Sequence, residues 1–460
     1  MSGKLKTFIA VLFVVLVCLF PSRAGAEGDD LFSLYSLARS KDPAIGKSQA
    51  RLDAGIADQD IATAQMYPRI DANAGINWFS NTSLNYGPSE ISGSYTGNSY
   101  GFSTRLPLYQ MPNVFNLAAS KAGVRGAGAA LTGSRQELIV AVAEAYFGLL
   151  KAQVDEVLYR DEMNRLNQIH DQAKEFSNKG VGTIISVFEA RAKLDSSAAD
   201  MIKATTVRKL AAQQLASIVN KQVTDIFDLG TYKPHGPAPA DMEWWLETMQ
   251  KNRPALVQAR EMLAQSELQR KSARAGHLPT VNATGGYAVS KGSTFLPEVE
   301  TRQWWVGFNL AVPIYSGGET AARTRRSLAV ESEQGFVLRE AGEQGIQKLK
   351  QAFLNLEYSS EIIPSLMQKR ASAVMQLEAT RDGRSVGTRT VIDLLNAEQG
   401  VAISQRDLAG ALYDNALRHL QLKAAAGILK EDDLIEINNL LVKSAAREHF
   451  LIRQVEELPK

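Results

Sequence analysis

The chain contains itself twice. Residues 386–399 (VGTRTVIDLLNAEQ) and residues 179–192 (KGVGTIISVFEARA) share one skeleton. Gly387 matches Gly180, Thr390 matches Thr183 and Ala397 matches Ala190, all at an offset of 207. Further anchors follow. Arg253-Pro254 matches Asp42-Pro43, Leu278-Pro279 matches Tyr67-Pro68 and Gly286 matches Gly75, at an offset of 211. VPIY at residues 312–315 then echoes LPLY at residues 106–109, at an offset of 206. Small length changes between the anchor sets account for the shifts, so the two halves arose by duplication and must fold alike. The expected division is a first repeat over 27–227, a proline-rich linker over 228–240, a second repeat over 241–430 and a C-terminal segment over 431–460.

Within each half the hydrophobic period changes. Residues 30–65 carry apolar positions at helical spacing, interrupted at Asp42-Pro43, where a new helix starts with proline in its first turn. From Arg69 the period becomes two: Ile70, Ala72, Ala74, Ile76 and Trp78 alternate with Asp71, Asn73, Gly75 and Asn77. A second alternating run holds Tyr100, Phe102 and Leu106. These predict strands near 69–79 and 98–108, joined by a polar loop over about 80–94. The second half predicts strands near 280–290 and 302–314.

Between strands and linkers lie stretches of about sixty residues with few breakers. Leu138, Val142, Ala145, Leu149 and Ala152 trace one helical face there. A helix of that length would run roughly 90 Å, and an ordinary globular domain does not hold such a rod. Each rod ends at a glycine turn, at Gly180 or Gly387, and a shorter helix returns from it.

The N-terminus reads as an export signal over residues 1–26. Lys4 and Lys6 precede an apolar run over 8–20, and Ala24-Gly25-Ala26 offers a cleavage site. The only cysteine, Cys18, lies inside it, so the mature chain would have neither a disulfide nor a thiol. Formal net charge is +2 with both signs interspersed, which argues against a nucleic-acid partner. No catalytic constellation, cofactor motif or metal-ligand spacing emerges: His170, His235, His277, His419 and His449 are scattered. Gly180-Val181-Gly182 follows a helix rather than a strand, which suits a helix C-cap and not a phosphate loop.

Strands of about ten residues with one apolar face have the length that crosses a bilayer when tilted. In hydrocarbon every backbone group must be paired, so such strands span only as a closed barrel. Known single-chain barrels begin near eight strands, so four strands per chain require several chains to share one. The competing expectation is a structural or adhesive periplasmic coiled-coil protein with a small soluble sheet. Trp78, Phe79, Tyr86, Trp304 and Trp305, near the strand ends, suit an interfacial aromatic belt.

The export signal, the duplicated helix-hairpin-helix halves, the turn VGTR-x-V-x-D-L-L-x-A at 386–397 and the tail DDLIEINNLL at 432–441 together resemble the TolC-like outer-membrane channels of drug efflux and type I secretion. The resemblance covers nearly the whole mature chain. It implies a mainly α fold with membrane β: a homotrimer with a twelve-stranded barrel in the outer-membrane lipid of a Gram-negative bacterium, continued by a long α-helical barrel through the periplasm. It implies a passive duct, opened by a periplasmic adaptor and powered by an inner-membrane transporter of the RND or ABC type. The tips with Gly180, Thr183, Gly387 and Thr388 would be the periplasmic entrance where the adaptor docks. Asp393 would then place a carboxylate ring about the pore axis, with Asn396 on the same side where family members often have a second acidic residue. The family's closed entrance is held by an arginine, matched here by Arg389, bonded to a tyrosine and an aspartate of neighbouring hairpins. Those two positions are Arg384 and Ser186 in this chain, so the shape of the entrance is kept while its polar lock is not.

Overall fold

The computed structural model describes residues 29–442 apart from 87–88, 224–225, 231 and 293–299. The export signal with Cys18, His449 and the end of the C-terminal segment lie outside the described residues.

The first half runs α1 (Leu31–Lys41), α2 (Pro43–Ala64), β1 (Arg69–Tyr86), β2 (Ser89–Tyr109), α3 (Met111–Asn178) and α4 (Ile184–Val219). After the two-residue strand β3 (Asp228–Leu229) the series repeats as α5 (Met242–Asn252), α6 (Pro254–Arg274), β4 (Thr280–Lys291), β5 (Glu300–Ala311), α7 (Glu319–Ser385) and α8 (Val391–Ala426). The chain closes with α9 (Glu431–Asn438) and β6 (Leu441–Val442). Equivalent helices start for equivalent reasons. Asp30 caps α1 by accepting from the Ser33 amide, and Asp241 caps α5 by accepting from the Glu243 amide. Pro43 and Pro254 open α2 and α6, where a missing N–H costs nothing.

The rods α3 and α7 have 68 and 67 residues, about 100 Å each at 1.5 Å per residue. Their return helices α4 and α8 have 36 residues apiece. α7 runs straight through Pro364 without ending, although that residue has no amide to give the ladder.

The core sits at the waist of the rods. Leu31, Leu34 and Tyr35 of α1, Val142, Tyr146 and Phe147 of α3, Leu215 of α4, Ala416 and Leu420 of α8 and Leu434 of α9 are all essentially buried in one cluster. A second cluster gathers Trp245 and Met249 of α5 with Leu349 and Phe353 of α7 and Leu422 of α8. The charged C-terminal segment helps to bind this waist. Glu431 accepts from Arg39 at 2.7 Å and from the Tyr35 hydroxyl at 3.1 Å, and β6 pairs with β3.

The four long strands form one antiparallel sheet in the order β1-β2-β4-β5. Register brings Ala72, Phe102, Tyr287 and Trp304 into one row across it, and Ile70, Thr104, Gly285 and Val306 into the row two residues along. The apolar phases of all four strands therefore fall on one face, and that face is bare: Ile76, Trp78, Trp304, Val306 and Phe308 are each at least 75% exposed.

Three details differ from the alternation pattern. The polar stretch over 80–94 is not a loop: β1 continues to Tyr86 and β2 starts at Ser89, paired past a bulge between Phe79 and Thr82. A ladder needs only backbone donors and acceptors, so pairing runs on where side-chain alternation has stopped. β5 ends at Ala311, just before the Val312-Pro313 step. Trp305 stands on the opposite face from Trp304, and its ring covers Gly286, where an added Cβ would lie 2.5 Å from the indole. It fills a gap in the sheet instead of joining the aromatic belt.

Gly427 ends α8 with φ +79°, and a Cβ there would sit 2.4 Å from the Arg253 Cα at the α5–α6 junction. Gly427→Ala combines left-handed strain with a backbone clash, and is expected to destabilise by about 3 kcal/mol or more. Denaturant or thermal unfolding of the purified variant measures it.

Candidate functional site at the hairpin tips

Both rods end in the same hydrogen-bonded turn. At the first tip Gly180 has φ +74°, the Val181 amide donates to the Phe176 carbonyl at 3.0 Å, and the Gly180 amide donates to the Ser177 carbonyl at 3.1 Å. At the second, Gly387 has φ +78°, the Thr388 amide donates to the Gly383 carbonyl at 2.8 Å, and the Gly387 amide donates to the Arg384 carbonyl at 3.1 Å. This paired pattern with a left-handed glycine is the Schellman motif, and a side chain at the glycine would strain it.

The helices that leave the tips are capped by matched threonines. Thr183 Oγ1 accepts from the Ser186 amide at 3.2 Å, and Thr390 Oγ1 accepts from the Asp393 amide at 3.1 Å. Here the halves part. Ser186 only returns its hydroxyl to the Thr183 carbonyl, whereas Asp393 Oδ2 accepts from both the amide and the hydroxyl of Thr390 at 2.9 Å, closing a capping box. Those bonds hold the Asp393 carboxyl below the usual carboxylate range, the amide bond first and the hydroxyl bond second. They engage only Oδ2, so Asp393 is a helix cap that keeps its charge. The spacing Thr-x-x-Asp carries this signal in the sequence.

The other candidate residues spread around the same tip. Arg384 and Arg389 are exposed and take part in no ion pair among the described residues. The aliphatic stem of Arg389 crosses Gly383, where a Cβ would meet its Cγ at 2.8 Å. Ser186 and Asn396 come together, with Ile392 and Leu395, in a groove of 880 Å³ between the first hairpin and the start of α8. No hydrogen bond joins the two among the described residues.

Two features escaped the reading of the residues alone. The first tip is an apolar knuckle: Val181, Ile184, Ile185 and Phe188 are 59–80% exposed, a run legible as V-x-x-I-I-x-x-F. The second tip is mixed, with Arg384, Thr388 and Arg389 exposed beside Val386 and Ile392. Ion pairs also tie the hairpins internally and to each other. Lys369–Asp407 (2.8 Å) and Arg381–Glu398 (3.5 Å) link α7 to α8, and Arg208–Glu156 (2.5 Å) links α4 to α3. Lys151–Asp414 (2.5 Å) and Arg406–Asp155 (4.0 Å) join α3 of the first hairpin to α8 of the second. Their partners lie some 250 residues apart, beyond any spacing rule.

Comparison with known proteins matches the geometry. The family model described as outer membrane efflux protein fits residues 34–221 and 245–428, two segments that coincide with the internal repeat. The chain is 28% identical to the outer membrane protein TolC of Escherichia coli, over 95% of this chain and 90% of that one. It is 25% identical to the alkaline protease secretion protein AprF of Pseudomonas aeruginosa, over 94% and 90%. Among solved structures, the Campylobacter jejuni outer membrane channel CmeC superposes with a TM-score of 0.74 at 17% identity, covering 90% of both chains. The outer-membrane channel OprN gives 0.73 at 20% identity, over 86% and 89%.

Replacing either capping threonine by alanine is expected to cost about 1 kcal/mol. Thr390→Ala should fray its helix more than Thr183→Ala, because it also removes a hydroxyl donor to Asp393. Amide hydrogen exchange over the first turns of α4 and α8 reads the difference.

Proposed function

The chain belongs to the outer membrane efflux protein family, and on that premise we propose that it is the trimeric exit duct of a tripartite export machine, opened by a periplasmic adaptor and powered by an inner-membrane transporter of the RND or ABC type. The observation that carries this reading is the sheet. Its apolar face is largely bare, and its outer strands β1 and β5 each leave one edge without a partner among the described residues. An apolar sheet with open edges is stable in lipid only when closed. Three copies supply twelve strands, within the range of known barrels. A soluble coiled-coil protein would instead bury that face against its helices.

Below the barrel the rods continue as the duct wall, and the tips form its inner mouth. No residue set for energy conversion accompanies them, which is consistent with a passive channel driven from elsewhere. Relatives named as an outer membrane efflux protein and as a protease secretion protein align over 69% and 94% of the chain, which supports a wall that suits cargoes of different chemistry. Gly180, Thr183, Gly387 and Thr388 shape the surface an adaptor would meet, and the apolar first tip beside the more basic second tip gives that surface two kinds of contact. In a trimer the three Asp393 carboxylates, ionised but bound to their caps, stand around one axis with Asn396 one turn on. Such a ring attracts cations by its field. Arg389 and Arg384 flank it.

The assembly is tested by isolating the protein from outer membranes: heat-modifiable, detergent-requiring trimers support the duct, and a soluble monomer overturns it. A bulky residue at Gly387 should abolish export while leaving a folded trimer, because the turn needs φ near +78°; surviving export removes the tip from docking. Asp393→Asn should lower cation selectivity in a planar bilayer, and unchanged selectivity takes Asp393 out of the pore.

A further inference from the structure

The linker between the halves is held to the second hairpin by a polar cluster that the channel reading does not use. The Tyr232 hydroxyl donates to Asn415 Oδ1 at 2.7 Å, and the Asn415 amide donates to Ser359 Oγ at 2.9 Å and to the His235 carbonyl at 3.4 Å. One turn further along α8, the His419 ring meets the His235 ring edge to face, with centroids 4.6 Å apart. His419 Nδ1 is shut off from solvent and has no hydrogen-bond partner among the described residues. Beside it, Gly236 lies against Ser360 of α7, and Trp245 of α5 donates to the Pro239 carbonyl at 2.8 Å. The linker thus crosses α7 and α8 at the waist and anchors α5, touching elements of the second half on both sides.

The charges around His419 favour its neutral form. Lys423 stands one turn along α8, His235 faces it from the linker, and no charged group of α7 acts on it among the described residues. The one facing carboxylate, Asp433 of α9, is already paired with Lys423 at 2.6 Å. A proton on His419 would enter a buried space beside two basic groups, with no acceptor waiting for the new N–H.

We propose that residues 232–239 are an acid-released strap, held on α7 and α8 by the His235–His419 contact and freed from the waist when His419 takes up a proton. The sign follows from the two states. With the strap in place His419 is pushed down to about 4, chiefly by burial and then by Lys423 and His235, from an ordinary value of 6.5. With the strap lifted, much of the burial and the facing His235 are removed while Lys423 stays on α8, so the ring titrates closer to its ordinary value. The closed contact is therefore fully stable above pH 6.5, weakens as pH falls towards 4, and weakens no further below that. At pH 5 the lifted form should be favoured by up to roughly thirty-fold relative to neutral pH, the ceiling set by losing the whole shift. The device goes beyond the duct reading and needs neither adaptor nor cargo.

Hydroxyl-radical footprinting of Tyr232, which is buried while the strap is in place, in the purified full-length protein in detergent at pH 7.5 and 5.0 tests it. Labelling of Tyr232 should rise several-fold in acid, with little change at the buried Tyr146 of α3. His419→Leu should abolish the acid response. Lys423→Gln, which leaves the imidazole but removes the facing cation and frees Asp433, should reduce it. An equal acid response in both variants, or none in the wild type, overturns the proposal.

Discussion

A sheet whose apolar face is complete but whose edges are open governs the rest of this molecule. The rows across β1, β2, β4 and β5 put tryptophan, valine and phenylalanine side chains outward together. The unpaired edges of β1 and β5 cannot stand alone in hydrocarbon. Lipid satisfies the face and further copies satisfy the edges, so membrane insertion and assembly are one physical requirement. Once the strands are held in a barrel, the rods leave the sheet side by side, and their length sets how far from the membrane the tips stand.

The rods are stabilised mainly at their waist. Above and below it the helices present many exposed apolar residues and hold together by pairs such as Lys369–Asp407 and Arg270–Glu331, each weak on its own at a surface. The waist differs because α1, α5, α9 and the linker wrap it and bury a continuous core. The hairpin ends are therefore free to differ from one another without threatening the fold. The duplicated tips show this: the Schellman turn and the threonine cap are retained in both, while the exposed side chains are apolar in one and mixed basic and apolar in the other.

Much of the architecture was legible in the residues because it rests on local rules. Pro43, Pro254, Asp42, Thr183, Thr390, Gly180 and Gly387 each mark a helix boundary where the backbone needs that chemistry. The capping role of Asp393 is written there too, as a threonine three residues before an acidic one. Extension of β1 and β2 through the polar stretch was not legible, since backbone pairing leaves no side-chain pattern. The placement of Trp305 over Gly286 depends on the neighbouring strand and could not be read from either strand alone.

By itself the sequence determined the duplication, the two periods, the helix ends and the segregation of apolar from polar strand faces, because each follows from short-range sterics and spacing. Only the tertiary structure decided which strands neighbour one another, which ion pairs join the two hairpins, that Ser186 and Asn396 share a groove, and that the linker lays His235 against His419. Those contacts join residues that are tens to hundreds of positions apart, and their energies depend on distance and burial, which no local pattern encodes.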